Sequence, residues 1–380
     1  MTMLFLAYAH ERGLTADVGG FRKLWELAAA VARRGPRVEV LYPRLPGHRA
    51  LRDVPHRDYA VVNRPLLRPL TAYGALCAAA LRIRPRPDVV YFRIGLALLP
   101  AALLRARGAR VVVEINADPC EFQAVEGAGR AARRLARLVL AASVRVSHLA
   151  VAVTPGLAQR LIDDLGVPRG RVVLSPSATD TTHFVPADAT VARRRLGLDP
   201  DRPTVGFVGV FYRHQGVPTL LHAVAELRCR VPGILALVVG DGVMRRAWEA
   251  EAAALSLGDA VRFTGQVAYA DVPAYFNAMD VVAAPFTAHR GETSPFKVLD
   301  ALACARPVVA SDLPSVRTLA DSGALTLVPP DDPAALAKAL GELLADPGHR
   351  VAMGWKGRGF VERHASWDHA AATLLGALAR

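Results

Sequence analysis

Gly291 to Asp312 reads GETSPFKVLDALACARPVVASD, and its residue types and spacing could bind a phosphate. Ser294 is a residue that caps helices, and Pro295 suits a first helical turn, where a missing N–H costs nothing. The start of such a helix offers backbone N–H groups and a partial positive charge, which together suit phosphate. Lys297 adds a full charge in the same turn. Asp300 follows three residues later on the same helical face, and Glu292 precedes the cap. A sugar nucleotide would need acidic groups on either side of a phosphate site, as here. The same residues also fit an i,i+3 surface pair beside a solvated loop acid. Past Ala305 the chain turns through Arg306-Pro307 into a short apolar strand, Val308 to Ala310.

The stretch resembles the donor-binding signature of family-4 retaining glycosyltransferases, close to E-x-SPLK-x-x-E-x-MA-x-G-x-PVV-x-SD. Glu292, Ser294, Pro295, Lys297, Ala303, Pro307, Val308, Val309, Ser311 and Asp312 match in register. Asp300 stands at the second acidic position, where the family has Glu, and Ala305 replaces the usual glycine. The resemblance implies an α/β fold of GT-B architecture, with two Rossmann-like doubly wound domains facing each other across a cleft. It also implies a nucleotide-diphosphate sugar as donor, carrying UDP, GDP or another base. Lys297, with the backbone around Thr293, Ser294, Pro295 and Phe296, would then hold the diphosphate. Glu292 would hold donor-sugar hydroxyls, and Asp300 the ribose hydroxyls.

The elements that must position these groups alternate between strand and helix. Met3 to Ala9 reads as a buried strand, and Gly19 and Gly20 open a helix to about Arg34. Arg37 to Tyr42 is the next strand, which completes a Rossmann-like unit. The glycine pair lets backbone approach a ligand closely, though a plain tight turn has the same signature. Many members of the resembled family carry this pair beside donor and acceptor. His10 and Glu11, in the loop before it, are either acid/base groups or polar surface residues. Arg44 to about Arg68 gives no clear regular element. Asp88–Arg93 and Ala109–Ile115 read as strands around a helix, Leu96 to Arg107. Ligands in doubly wound folds bind beyond strand ends, so Glu114, Asn116 and Asp118 are well placed. The resembled family often has a donor-contacting His where Asn116 stands, and an E-[IV]-N-A form also occurs.

Ser175 to Pro186, SPSATDTTHFVP, resembles the connector between the family's two halves. The expected division is 1–186 as the acceptor domain, with a helix of about 365–380 returning to it, and 187–364 as the donor domain. Strand Thr204–Val208 leads into GVFYRHQG, which opens with Gly209. The family usually places an arginine and a lysine in this loop against the diphosphate, but Val210 and Gln215 occupy those places. Arg213 is then the charge the loop offers, its guanidinium suited to gripping phosphate in a fork. The turn Gly240-Asp241-Gly242 matches the family's VGDG. Val267 lies where the family seats the nucleotide base on backbone groups.

At 380 residues two domains are the natural expectation. With 52% hydrophobic residues and a mean hydropathy of +0.23, the chain can bury substantial cores. The formal charge is +13, yet only four of the 47 Lys and Arg residues are lysine. Such skew fits a GC-rich coding sequence. A basic surface could attract anionic lipid, nucleic acid or a phosphorylated substrate. Arg130 to Arg145 has helical spacing, with Leu135, Leu138 and Val139 toward one side. It reads as a solvated helix face or a membrane-surface helix. Ile94 to Leu104 contains Pro100 and falls short of the roughly 20 residues that span a bilayer, so a buried helix is expected. No signal peptide is read, since Glu11 and Arg12 arrive early. Four cysteines without C-x-x-C spacing fit a reducing cytoplasm. The expected location is cytoplasmic, with peripheral contact at the inner face of a membrane left open.

No cofactor and no metal are expected. Asp199-Pro200-Asp201 has D-x-D spacing but sits in a polar turn, and no P-loop, H-E-x-x-H or paired C-x-x-C occurs. The lack of G-x-S-x-G argues against a hydrolase nucleophile. The leading reading is retaining transfer from a nucleotide sugar to a glycan, lipid-linked or secondary-metabolite acceptor. Another sugar-nucleotide enzyme such as an epimerase, or a relative that has lost transfer, stays open because of Val210 and Gln215. Charge alone would favour a membrane- or nucleic-acid-binding protein, of which the nucleic-acid form is not expected.

Overall fold

The computed structural model describes residues 1–8, 19–44, 53–62, 68–95, 97–120, 129–292 and 294–380. The chain divides into two compact units. The first comprises Met1–Ser177, Glu292–Ser294 and Trp367–Arg380, and the second Ala178–Gly291 and Pro295–Ser366.

In the first unit β1 (Thr2–Leu6), α1 (Gly19–Arg33), β2 (Arg37–Arg44) and β3 (His56–Ala60) are followed by α2 (Arg68–Arg82) and β4 (Val89–Arg93). Then come α3 (Leu98–Arg105), β5 (Arg110–Ile115), α4 (Arg130–Val146), β6 (Leu149–Ala152), α5 (Pro155–Asp163) and β7 (Val172–Leu174). The sheet order is β3-β2-β1-β4-β5-β6-β7, parallel throughout. Strands covered on both faces need apolar side chains both ways, which explains the runs in β1, β4 and β5. Leu76, Ala101, Leu104, Leu140 and Leu157 from α2 to α5 share one core with Leu4, Val90 and Val113. The strand β3 answers to no expected element. It lies at the sheet edge with four of its five residues exposed, so it shows no apolar run. The apolar run Ile94–Leu104 contributes α3, with Pro100, Ala101 and Leu104 buried.

α4 forms where helical spacing predicts it, but its core face is Ala136, Leu140, Ser143 and Val144. Leu135 and Leu138 point elsewhere and are 63% and 67% exposed.

The second unit contains α6 (Ala189–Arg195), β8 (Thr204–Val208), α7 (Val217–Leu227), β9 (Leu235–Val239), α8 (Arg245–Ala254) and β10 (Val261–Phe263). It continues with α9 (Val272–Ala278), β11 (Val281–Ala284), α10 (Phe296–Ala303), β12 (Val308–Ser311), α11 (Pro314–Arg317), β13 (Leu325–Val328), α12 (Pro333–Ala345) and α13 (Pro347–His364). Its sheet, also parallel, runs β10-β9-β8-β11-β12-β13. The segment after Ser177 joins this unit well before residue 186. Phe184 is buried in its core, and Arg358 of α13 donates to the carbonyls of Phe184 and Thr181 at 2.6 and 2.9 Å. Burying such a ring contributes about 1.5–3 kcal/mol, which explains why the connector sides with the second unit. The final helix α14 (Trp367–Ala379) packs on α1 in the first unit, where Arg33 donates to Asp368 at 3.0 Å.

Candidate functional site

In an open doubly wound sheet the ligand crevice lies beyond the strand ends where the strand order reverses. In the second unit that point lies between β8 and β11: from β8 the chain runs outward to β9 and β10, and from β11 the other way to β12 and β13. The loops after β8, β9 and β10 interlock there through glycine. A Cβ on Gly240 would stand 2.0 Å from the Gly209 carbonyl oxygen, so backbone packs on backbone. Gly240 donates to Gly265 O at 3.1 Å, and Phe211 N to Asp241 O at 2.8 Å. Asp241 accepts from Arg245 at 2.9 Å and from the Gly242 N–H at 2.7 Å, so its carboxylate fixes this turn. Val267 is half-buried against the neighbouring core.

Lys297, in the first turn of α10, reaches under this loop. A Cβ on Gly209 would lie 2.8 Å from the Lys297 amine. Lys297 is half-buried. That amine sits 3.6 Å from the centre of the Phe207 ring and 5.2 Å from that of Phe286. Arg290 is buried, lies 4.0 Å over the other ring contact, Phe286, and donates to Ser315 at 3.2 Å. Burial, and then the charge of Arg290, hold the Lys297 pKa well below the ordinary lysine value.

Gln215 and His214 complete the cluster. Gln215 accepts from the Lys297 amine and sets its own amide nitrogen 2.9 Å from His214 Nε2. Burial, with Arg290 and Lys297 nearby, lowers the His214 pKa to about 4. A neutral imidazole can then accept from the amide, which aims the Gln215 carbonyl at the lysine. Burial and the charge of Arg290 thus both act against a proton on Lys297 and on His214, and an anion bound beside the lysine would favour its charged form.

Ser294 does not cap α10. The helix begins at Phe296, and Pro295 holds the cap position at φ −87° and ψ 60° without a side-chain cap bond. A residue before proline is kept extended, which leaves Ser294, itself buried, one position too early. Phe296 is half-buried at the helix start, and Asp300 accepts from Thr179 Oγ1 at 2.6 Å one turn further on. Arg213 is exposed on the turn 213–215. The cation placed beside Lys297 is Arg290.

The first unit carries the remaining candidates. Gly19 and Gly20 form the opening turn of α1. Asn116 follows β5 directly and is half-buried, while Asp118 is paired with Arg160 at 3.1 Å. Glu114 is fully buried in an ion cluster with Lys23 at 3.1 Å and Arg93 at 3.4 Å, and the Tyr91 hydroxyl donates to it. Burial alone would raise its pKa, but these two cations and the hydrogen bonds from Tyr91 and Lys23 hold it below the usual range. Glu114 is thus committed to the structure rather than facing a ligand. Glu292 is buried beside the opening of α5, where a Cβ on Gly156 would come within 2.6 Å of its carboxyl. Thr293, His10 and Glu11 lie outside the described residues.

Arg290 and His214 escape sequence reasoning. Arginine is so abundant here that one more carries no signal, and His214 sits between residues weighed for other reasons. Their one local clue is position, at the ends of the two loops that flank the sheet's reversal point.

Two parallel sheets of Rossmann type, the second with Lys297 set against a glycine loop and Arg290 near it, define a GT-B protein suited to an anionic ligand. Residues 202–346 match the family model described as glycosyl transferases group 1, and residues 19–183 match that of glycosyltransferase family 4. The chain belongs to the family-4 glycosyltransferases. Two relatives named D-inositol 3-phosphate glycosyltransferase, from Stackebrandtia nassauensis and Salinispora tropica, are 33% and 35% identical over 244 residues. Those residues are 62% and 59% of this chain but 54% and 49% of theirs, so the chain spans about half the length of these curated relatives. Sucrose-phosphate synthase from Thermosynechococcus elongatus superposes with a TM-score of 0.82 at 23% identity, covering 100% of this chain and 98% of that one. Anabaena HepE, in complex with UDP and glucose, does so with a TM-score of 0.78 at 19% identity, covering 100% and 99%. At these identities the likeness shows the shared fold.

Proposed function

We propose that this chain transfers a sugar, with retention of anomeric configuration, from a nucleoside-diphosphate sugar to an acceptor. The observation that carries the proposal is Lys297, its amine set against Gly209, with the buried Arg290 near enough to bear on its charge and both cations reaching the Phe286 ring. As the glycosidic bond breaks, charge grows on the leaving diphosphate, and fixed cations there stabilise the transition state more than the ground state. Gln215 steadies the lysine amine, and Arg290 supplies a second charge that Val210 and Gln215 do not. Asp300, which accepts from Thr179, would bind ribose hydroxyls, as the family resemblance implies. Glu292 would hold donor-sugar hydroxyls and Asn116 would touch the donor, as the family resemblance implies. The named relatives act on inositol 3-phosphate, which puts phosphorylated polyols beside glycans, lipid-linked acceptors and secondary metabolites as acceptor candidates.

Titration calorimetry with UDP, GDP and other nucleoside diphosphates, then transfer assays with NMR of the product linkage, test the proposal. Micromolar binding and an anomerically retained product are expected. No diphosphate binding, or an inverted linkage, overturns it.

A further inference from the structure

On one face of the first unit's sheet, α2, α3 and α4 lie side by side. None of the three contains an aspartate or glutamate, whereas α4 alone carries Arg130, Arg133, Arg134, Arg137 and Arg145. Arg82 at the end of α2 and Arg105 at the end of α3 extend the same charge and are exposed. Just beyond them, desolvation and then the charges of Arg84 and Arg86 pull the Arg107 pKa below its ordinary value.

The apolar side chains are placed as unexpectedly as the charges. The core side of α4 is filled by Ala136, Leu140, Ser143 and Val144. Leu135 and Leu138 stay outside beside exposed Arg134 and Arg137. Leu81 of α2 and Leu99 of α3 are each 42% exposed on neighbouring helices. Scattered exposed leucines are ordinary, but a leucine pair on an acid-free basic helix is the pattern of an interfacial helix. Nucleic acid would use the arginines and leave the leucines idle. A protein partner would use the leucines and would need an acid-rich surface to match.

We propose that this face docks on an anionic lipid bilayer, with Leu135 and Leu138 entering the boundary of headgroups and acyl chains while the arginines of α2 to α4 meet lipid phosphates. Among the described residues no helix is long and apolar enough to cross a membrane. The proposal stands independently of the transfer reaction, since none of these residues is placed in the donor site.

Co-sedimentation of the full chain with vesicles tests it. Binding to phosphatidylcholine vesicles containing phosphatidylglycerol is expected to exceed binding to pure phosphatidylcholine by tenfold or more, and to weaken steeply with salt, as roughly one ion contact per arginine requires. Leu135→Ser with Leu138→Ser should cut the partition about tenfold with an unchanged thermal midpoint, because both side chains are exposed. Leu138→Trp should keep it, since an aromatic suits the interface. Equal binding to neutral and anionic vesicles overturns the proposal, as does wild-type partition by the double serine variant. Duplex DNA binding that outcompetes the anionic vesicles overturns it too.

Discussion

Burial and Arg290 both work against a charge on Lys297, and an anion bound there would favour it. Replacing Arg290 by Gln takes away one charge-assisted contact, worth about 1.5–3 kcal/mol. Nucleoside-diphosphate affinity should therefore fall roughly 10- to 100-fold, and calorimetric affinity equal to wild type would reject Arg290 as a ligand. His214 gives a pH test of the same cluster. Its folded pKa of about 4 lies below the ordinary 6.5, so the native state stays neutral while the unfolded chain takes up a proton. The associated stability is complete above pH 6.5 and is lost as pH falls toward 4, by up to roughly 3 kcal/mol. Denaturation of the wild type and His214→Asn across that window should show the difference shrinking with acid; parallel curves would place His214 in a more solvated setting. Gly156 tests Glu292. A methyl at 156 must push the carboxyl aside, which a flexible side chain allows without unfolding. Gly156→Ala should keep the fold but lower transfer up to ~100-fold if the carboxyl has to be positioned, and an unaltered rate would free Glu292 from that role.

Among the elements, the turn into α7 depends most on one residue. Gly216 has φ +65°, and a Cβ there would fall 1.8 Å from the Pro285 carbonyl oxygen. Both strands that flank the sheet's reversal point feed this contact, so Gly216→Ala has backbone strain and a backbone clash to absorb. A loss of at least about 2 kcal/mol is expected, seen as a lowered denaturant midpoint; an unchanged midpoint would refute the packing. Such contacts are invisible in a sequence, whereas the elements themselves largely are not. β1, β5, β8 and β9 announce themselves as apolar runs because they are buried on both faces. β3 hides because an edge strand needs no such run, and α10 starts one residue later than its Ser-Pro signal suggests. In α4 the periodicity reveals a helix but not which side faces the core, since Ala136, Leu140, Ser143 and Val144 fill that side and leave Leu135 and Leu138 out. Lys297 could be read from motif spacing. Arg290 could not, because only folding brings the loop after β11 against the loop after β8.

At the scale of the molecule, each unit has its own sheet and its own core: Leu76, Leu104 and Leu140 pack on one face of the first sheet, Trp25 and Val31 of α1 are buried as well, and the second sheet is covered on both faces. A ligand held by the second unit's loops therefore has a defined footprint. If Lys297, Arg290 and the glycine turns bind the diphosphate, their backbone should open only after the nucleotide leaves. Ligand at a hundred times its dissociation constant stabilises the bound form by about 2.7 kcal/mol, or roughly a hundredfold in the opening equilibrium. Hydrogen exchange with and without nucleotide should then slow by up to that factor at residues 209–216, 240–245 and 290–300. The strands β12, buried, and β13, half-buried at the sheet edge, lie further from β8 along the sheet and should change little unless they exchange through global unfolding. Slowing confined to the first unit, with 209–216 and 290–300 unchanged, would move the nucleotide off the Lys297 pocket. The same comparison on Lys297→Ala separates occupancy from accident: protection at 209–216 should vanish there at equal nucleotide concentration, and its persistence would show that the loop, not the lysine, holds the ligand.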